Sequence, residues 1–359
     1  MKKVLSVFLI FVLCSSLLAA CAKQPSTLAE TNDSQPTAAP PTEAPTSAPD
    51  TETKPSKKEK SIDLYIIAGQ SNASGYTTIN KTELASLWSH YQTGVDTVLY
   101  TGRANSDEGV EIGWTTAKAG QGKSTDCMGV EVGMAKVLSE NYYNTQNSNG
   151  TVAGIIKFAH GGTSLLNNTQ KSQGNWISPT YASRLGLNYT GLTGELYRGL
   201  LDQVEKSVTK LKVNGYTVIN LKGVFWMQGE DDRGYPTEYK TAFKYFVKDL
   251  RQDLGEIMKT DLSKLPIMIG EISQTFAGAD AGNVATNEKF IAVQRRLAVE
   301  LSNVYVIASG QYEINHWNAQ TQKSENGQDP YHWTTKEIFA IGELVGRCIV
   351  DQILNKTVT

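Results

Sequence analysis

The sequence predicts an α/β fold in which a mostly parallel sheet is covered by helices on both faces. Two observations carry that prediction. Apolar runs of strand length recur along the chain, and most are near-continuous, as in strands buried on both sides. Between them lie stretches with apolar residues at helical spacing, so that strands and helices alternate as in βαβ units. The chain has 359 residues, 40% of them hydrophobic, enough for one sizeable core. Its formal net charge of -2 gives no reason to expect nucleic acid binding.

The first sixty residues stand apart from this pattern. Lys2 and Lys3 precede an apolar stretch from Val4 to Leu18 that is short for a membrane span and suits a secretory signal. It ends in Leu18-Ala19-Ala20-Cys21. Small residues before a cysteine resemble the bacterial lipobox, which implies cleavage before Cys21, lipidation of its thiol and attachment to the outer face of a bacterial cell membrane. The alternative is an ordinary signal peptide with a cysteine nearby. Residues 21–60 are rich in Pro, Thr, Ser and Ala, with Pro40-Pro41 in the middle. That composition buries too little apolar surface to offset ordering entropy, so it reads as an extended tether. Residues 1–20 are then the signal, 21–60 the lipidated cysteine and linker, and 61–359 the folded domain.

Within the domain, strands are expected over Ile62–Ala68, Val95–Tyr100, Val152–Ala159, Val218–Met227, Pro266–Ile272 and Val304–Ala308. Helices are expected over Val130–Leu138, Glu195–Leu211, Tyr239–Leu254 and Glu288–Leu301, each with an apolar stripe. A last helix follows His332, where Thr334 and Glu337 have the spacing of a capping box. The segments Ile79–Val130 and Leu165–Thr193 are long, irregular and polar, and are expected to shape a cleft. Cys127 and Cys348 are the only cysteines left in the domain; a disulfide between them is one reading outside the cytoplasm, and a buried free thiol is favoured because Cys348 falls on the apolar side of the last helix.

Four segments of the domain carry chemistry. Ile66-Ile67-Ala68 runs into Gly69-Gln70-Ser71-Asn72, which presents Ser71 at the carboxyl end of a buried strand, where ligands bind in parallel α/β sheets. His160-Gly161-Gly162-Thr163 follows another strand, and its glycine N–H groups can join the amide of Ser71 in stabilising an oxyanion. Trp226-Met227-Gln228-Gly229-Glu230-Asp231-Asp232 delivers Gln228 as an amide donor and Glu230 as an acceptor for a histidine or a sugar hydroxyl. The bland reading of Asp231 and Asp232 is a solvated loop. Asp329-Pro330-Tyr331-His332 places a carboxylate three residues from an imidazole, which can fix its tautomer and leave the other nitrogen for the proton of Ser71. Of the remaining histidines, His90 reads as exposed, His316 as surface or cleft lining, and His160 as a ligand contact.

These four blocks, in this order over about residues 61–350, resemble the SGNH hydrolases. More narrowly they are similar to the branch holding sialate O-acetylesterases and carbohydrate esterase family six, which includes acetyl xylan esterases. The resemblance implies a three-layer α/β/α flavodoxin-like fold and removal of O-acetyl groups from carbohydrate. It makes Ser71 the nucleophile, His332 the base and Asp329 the third member, with Glu230 as the alternative acid. It implies an oxyanion hole of Ser71, Gly162 and Gln228, and places Gln70, Asn72, His160 and Glu230 beside the substrate. No cofactor and no metal is expected. The competing class is a surface lipoprotein that binds carbohydrate or solute without catalysis, and Trp114, Trp176 and Trp333 could stack on sugars in either case. Lipid or peptidoglycan acetyl esters are further possible substrates.

Overall fold

The computed structural model describes residues 59–356, apart from 105–112, 145, 168–173, 313, 315–316, 319–322 and 325–330. The signal, Cys21 and nearly all of the linker lie outside the described residues, as do His316 and Asp329.

The strands are β1 (Lys60–Gly69), β2 (Thr77–Thr78), β3 (Val98–Ala104), β4 (Thr115–Thr116), β5 (Cys127–Met128), β6 (Val152–Ala159), β7 (Tyr216–Met227), β8 (Ile267–Gly270), β9 (Val304–Ile307), β10 (Trp317–Asn318) and β11 (Lys323–Ser324). The helices are α1 (Ser71–Ser74), α2 (Lys81–Leu87), α3 (Glu131–Asn141), α4 (Pro179–Arg184), α5 (Glu195–Val213), α6 (Pro236–Met258), α7 (Ala281–Glu300) and α8 (Thr335–Cys348). The main sheet has the order β4-β3-β6-β1-β7-β8-β9. All its pairings are parallel except β3 with β4 at the edge. The chain moves out to one side of β1 first and to the other side afterwards, so the carboxyl end of β1 is the topological switch point.

Strand periodicity sorts the core into two layers. Ile62, Leu64 and Ile66 of β1 face one side with Val224 and Trp226 of β7, where α5, α6 and α7 supply Leu200, Phe243 and Phe290. Tyr65 and Ile67 face the other side with Phe225 and Met227, where α3 and α8 supply Met134 and Ile341. Every one of these side chains is buried, and each such aliphatic or aromatic group stabilises the fold by about 1.5–3 kcal/mol relative to exposure. The expected three-layer α/β/α class is the one observed.

Two helices extend beyond what periodicity marks. Pro236 opens α6 in the first turn, where its missing N–H costs nothing. Helix α7 begins at Ala281 because Asp280 accepts hydrogen bonds from the N–H groups of Gly282 and Asn283. Its first turns are polar, so no apolar stripe announces them. The capping box of α8 forms as expected, with Thr334 and Glu337 bonded reciprocally.

Helix α8 lies against α3 at backbone contact. A Cβ on Gly342 would stand 2.2 Å from the carbonyl oxygen of Val130, and one on Gly133 would stand 2.0 Å from that of Phe339. Only a glycine pair permits this approach, and it fixes the helix that follows His332. Among the described residues no helix is long and apolar enough to cross a membrane.

Candidate active site

The sharp end of β1 follows from local chemistry. Gly69 takes φ 141°, and a Cβ there would lie 2.1 Å from the carbonyl oxygen of Met227, so a side chain is excluded. Gln70 N–H then donates to that carbonyl at 3.0 Å, and Ser74 N–H and Gly75 N–H close the short turn α1 onto the carbonyls of Gln70 and Ser71. Gln70, Asn72, Ala73 and Ser74 are buried, and Ser71 alone in the stretch 70–75 is partly exposed.

Glu230, from the 3-10 turn after β7, clamps this turn from below. One carboxylate oxygen accepts from the amide of Gln70 and the other from the amide of Asn72, the latter at 2.9 Å. Burial raises the Glu230 carboxyl above its ordinary value, and the hydrogen bonds from Asn72 and Gln70 oppose that rise. Asn72 also reaches the carbonyl oxygen of Tyr331 at 3.4 Å, which brings the residue before His332 onto the nucleophile turn.

His332 is held by the segment that follows Ser71. The His332 ring stacks on Tyr76, with centroids 4.9 Å apart and planes 23° apart. Thr77 Oγ1 donates to Trp333 O at 2.8 Å, Asn80 N–H donates to Thr335 Oγ1 at 2.8 Å, and Thr335 Oγ1 donates to Thr78 O at 3.1 Å. Residues 71–80 thus carry Ser71 at one end and the groups that hold the segment after His332 at the other. The Lys123 ammonium lies 4.3 Å from the centroid of Tyr76. A Cβ on Gly161 would lie 2.6 Å from the Tyr76 hydroxyl, so the glycine turn after β6 packs on the same tyrosine.

A second buried carboxylate joins the loops after β6 and β7. Asp232 accepts from Ser164 Oγ, from Leu165 N–H at 2.7 Å and from Gln228 Nε2 at 2.7 Å. Gln228 Nε2 also donates to Thr163 O at 3.0 Å. Burial pushes the Asp232 carboxyl up to about 6, against the opposing effect of these three donors. Beneath the turn, the buried ammonium of Lys157 pairs with the buried Glu131 at 3.1 Å and donates to Ser74 O at 3.1 Å and Gln121 O at 2.7 Å.

A family model described as carbohydrate esterase, sialic acid-specific acetylesterase, matches residues 61–349. The chain belongs to that carbohydrate esterase family. Its overall fold is similar to that of a protein from Arabidopsis thaliana at 20% identity and TM-score 0.51, over 81% of this chain and 98% of the other. It is similar to a novel carbohydrate acetylesterase from Xanthomonas citri at 17% identity and TM-score 0.52, over 82% of this chain and 57% of the other. It is also similar to NanS at 16% identity and TM-score 0.51, over 83% of this chain and 98% of the other. No curated protein sequence matches. The resemblance to carbohydrate esterases therefore holds at the level of the family, and the likeness to these structures is one of fold.

The structure brings together most of the residues singled out from the sequence. Gln70, Ser71, Asn72 and Glu230 meet in one cluster, with Tyr331 and His332 joined to it through Asn72 and Tyr76. Both oxygens of Glu230 accept from the amides flanking Ser71. The buried amide nitrogen of Gln228 donates to Asp232 and to Thr163 O. A flipped amide would turn its oxygen onto the Asp232 carboxylate, so the donor assignment follows from charge. Asp232 is no solvated loop residue; it is 1% exposed. Trp176 and Trp333 are buried in the core, and half-buried Trp114 gives its indole N–H to Ser207 O at 3.2 Å, so none is a sugar platform.

His160 stands half-exposed beside the glycine turn with Nδ1 3.3 Å from Gly161 O, Gly162 takes φ 65° in that turn, and His90 is exposed. Cys127 and Cys348 are both free, the first buried and the second half-buried. Tyr76, Lys157 and Glu131 were missed by motif reading. Only the position of Tyr76, directly after the nucleophile turn, could have pointed to one of them.

Proposed function

We propose that the domain is a serine esterase that removes O-acetyl groups from carbohydrate through an acyl-enzyme. The observation that carries this reading is that Ser71 is the accessible residue of an otherwise buried turn, on the same short segment that cradles His332. The Ser71 oxygen attacks the acetyl carbonyl while His332 takes its proton. The N–H of Ser71, at the start of a helical turn, and the N–H of Gly162 stabilise the oxyanion. The intermediate collapses, the sugar oxygen leaves with the proton from His332, and acetyl-Ser71 remains. Water then attacks this ester with His332 again as base, and acetate is released. Asp329 is the third member in this reading, since Glu230 is engaged by Gln70 and Asn72.

Acetylated xylan and acetylated sialic acid are the two substrate classes the family suggests. Acetate release from each, compared between the wild type and Ser71→Ala, tests the assignment. Release that survives the substitution removes Ser71 from the mechanism. The amino-terminal reading is a proposal of the same standing: Cys21 carries lipid and tethers the esterase to the outer face of the cell membrane. Cys21→Ala should move the protein to the soluble fraction, and retention with the membrane would count against the anchor.

A further inference from the structure

Tyr76 is not a reacting group in the sequence of steps above, yet three parts of the site meet on it. Its ring stacks on the His332 imidazole, with centroids 4.9 Å and planes 23° apart. Its hydroxyl stands where a Cβ on Gly161 would lie 2.6 Å away, so it occupies the space that this glycine leaves in the turn after β6. The Lys123 ammonium lies 4.3 Å from the ring centroid, a cation–π contact that helps hold the ring itself.

The backbone delivers this ring by construction. Gly75 ends α1 in the left-handed region, at φ 87° and ψ 75°, and a Cβ there would lie 2.7 Å from Gly129 N. The chain therefore leaves the buried turn abruptly, and Tyr76 is the first residue after Ser71 to emerge half-exposed. Strand β2 then pairs with β5, Thr77 opposite Met128 and Thr78 opposite Cys127. Lys123 N–H donates to Gly75 O at 2.9 Å, and Ile79 N–H donates to Asp126 O at 2.9 Å. The backbone is thus fixed on both sides of Tyr76.

The bland account is an aromatic side chain that fills the core. Tyr76 is not among the described residues that make up the two core layers or pack on them. Its ring meets groups of the site instead. What the stack supplies there is orientation. The bonds of Thr77, Asn80 and Thr335 hold the backbone that follows His332. Backbone bonds do not set the torsions of an imidazole, and the ring torsion of a histidine is broad. A near-parallel aromatic neighbour at this centroid separation restricts that torsion.

We propose that Tyr76 is a positioning residue for the base: its ring holds the His332 imidazole in the orientation that takes the proton of Ser71. This rests on the reading in which Ser71 and His332 act together, and adds the group that aligns them. Because Ser71 and Tyr76 share one short segment, the nucleophile and the support of the base are carried as a unit.

The test replaces Tyr76 by Phe, which keeps the ring, and by Leu, which removes the stack. With 4-nitrophenyl acetate, kcat of Tyr76→Leu should fall about tenfold to a hundredfold while KM stays within about twofold, as a misplaced catalytic group does. Tyr76→Phe should retain most of the wild-type kcat, within about threefold. Full kcat in Tyr76→Leu, or an equal loss in both variants, overturns the proposal. A second arm needs no turnover. It follows the imidazole C–H resonances of the four histidines by NMR in Ser71→Ala protein, with and without Tyr76→Leu. His332 is assigned by the signal lost in His332→Gln. The ring current of Tyr76 holds the His332 resonances upfield, and Tyr76→Leu should move them downfield. His90, which sits against buried Trp88 with centroids 6.1 Å apart, should stay in place and so report that the variant is folded. His332 resonances that do not move overturn the proposal. If the wild type hydrolyses no acetyl ester, the esterase reading fails, and the resonances alone decide whether Tyr76 orients His332.

Discussion

Asn72 donates its side-chain amide to Glu230 across 2.9 Å, from the position directly after the candidate nucleophile. Gln70, directly before it, donates to the other oxygen of the same carboxylate. The carboxylate thus spans Ser71 and fixes the turn on both sides. Glu230→Gln keeps the volume but substitutes one acceptor by a donor, which faces an amide donor in Gln70 or Asn72. We expect kcat to fall roughly tenfold to a hundredfold, the cost of leaving a buried polar pair mismatched, with the midpoint of the acid limb of the pH–rate profile in place. Were Glu230 the partner of His332, loss of its charge would shift that midpoint downward, and this shift is what the pH profile would detect.

The buried Asp232 should make stability depend on pH. Its carboxyl is raised from 3.8 to about 6 in the fold, so the native state holds the proton more tightly than the unfolded chain. That contribution is fully present below the unfolded value and is lost as pH rises through about 6. The difference in unfolding free energy between wild type and Asp232→Asn should therefore fall by about 2 to 3 kcal/mol between pH 3.8 and pH 7. Denaturant titrations of both proteins at matched pH values measure it, and a pH-independent difference would contradict the account.

The contact of α3 with α8 offers a test of how the base is carried. Gly342→Ala forces a methyl group into the carbonyl of Val130, which would stand 2.2 Å away. Overpacking of this kind costs typically about 1–3 kcal/mol. Because α8 begins just after His332, the displacement should also lower kcat per folded molecule. A lower melting temperature with full kcat would detach the helix contact from the site.

Lys157 and Glu131 form a buried ion pair under the nucleophile turn. Lys157→Met leaves Glu131 charged and unpaired, and should destabilise the protein by about 3–5 kcal/mol. The double variant Lys157→Met with Glu131→Gln should recover much of that loss. Equal destabilisation of single and double variants, read by urea unfolding, would show that Lys157 acts through Ser74 O and Gln121 O alone.

Much of the frame was legible because burial on two faces leaves a simple mark. Val152–Ala159 is apolar but for Lys157 and forms β6 with those same ends. The capping box at Thr334 and Glu337 is a local device, and local devices can be read from spacing. Strand β3 was harder: it runs from Val98 to Ala104, and its later half, Thr101-Gly102-Arg103, is polar and small. Asp232 could not be read at all. Three adjacent acids suggest water, and only the donors from Ser164 and Leu165, brought in by a different strand, make its burial tolerable. The partner of Glu230 was equally hidden, because a carboxylate at a strand end can serve a histidine or two amides, and the strand order decides which. Trp176 and Trp333 show the same ambiguity from the apolar side: tertiary packing makes them core.

The central claim is that Ser71 carries the acetyl group between sugar and water. It is tested most directly by quenching the enzyme with acid during turnover of 4-nitrophenyl acetate and mapping acetylation by mass spectrometry. The account predicts one acetyl group on Ser71 in the wild type and none in Ser71→Ala, with turnover lost alongside. Acetylation at another residue, or hydrolysis by Ser71→Ala at the wild-type rate, would contradict it.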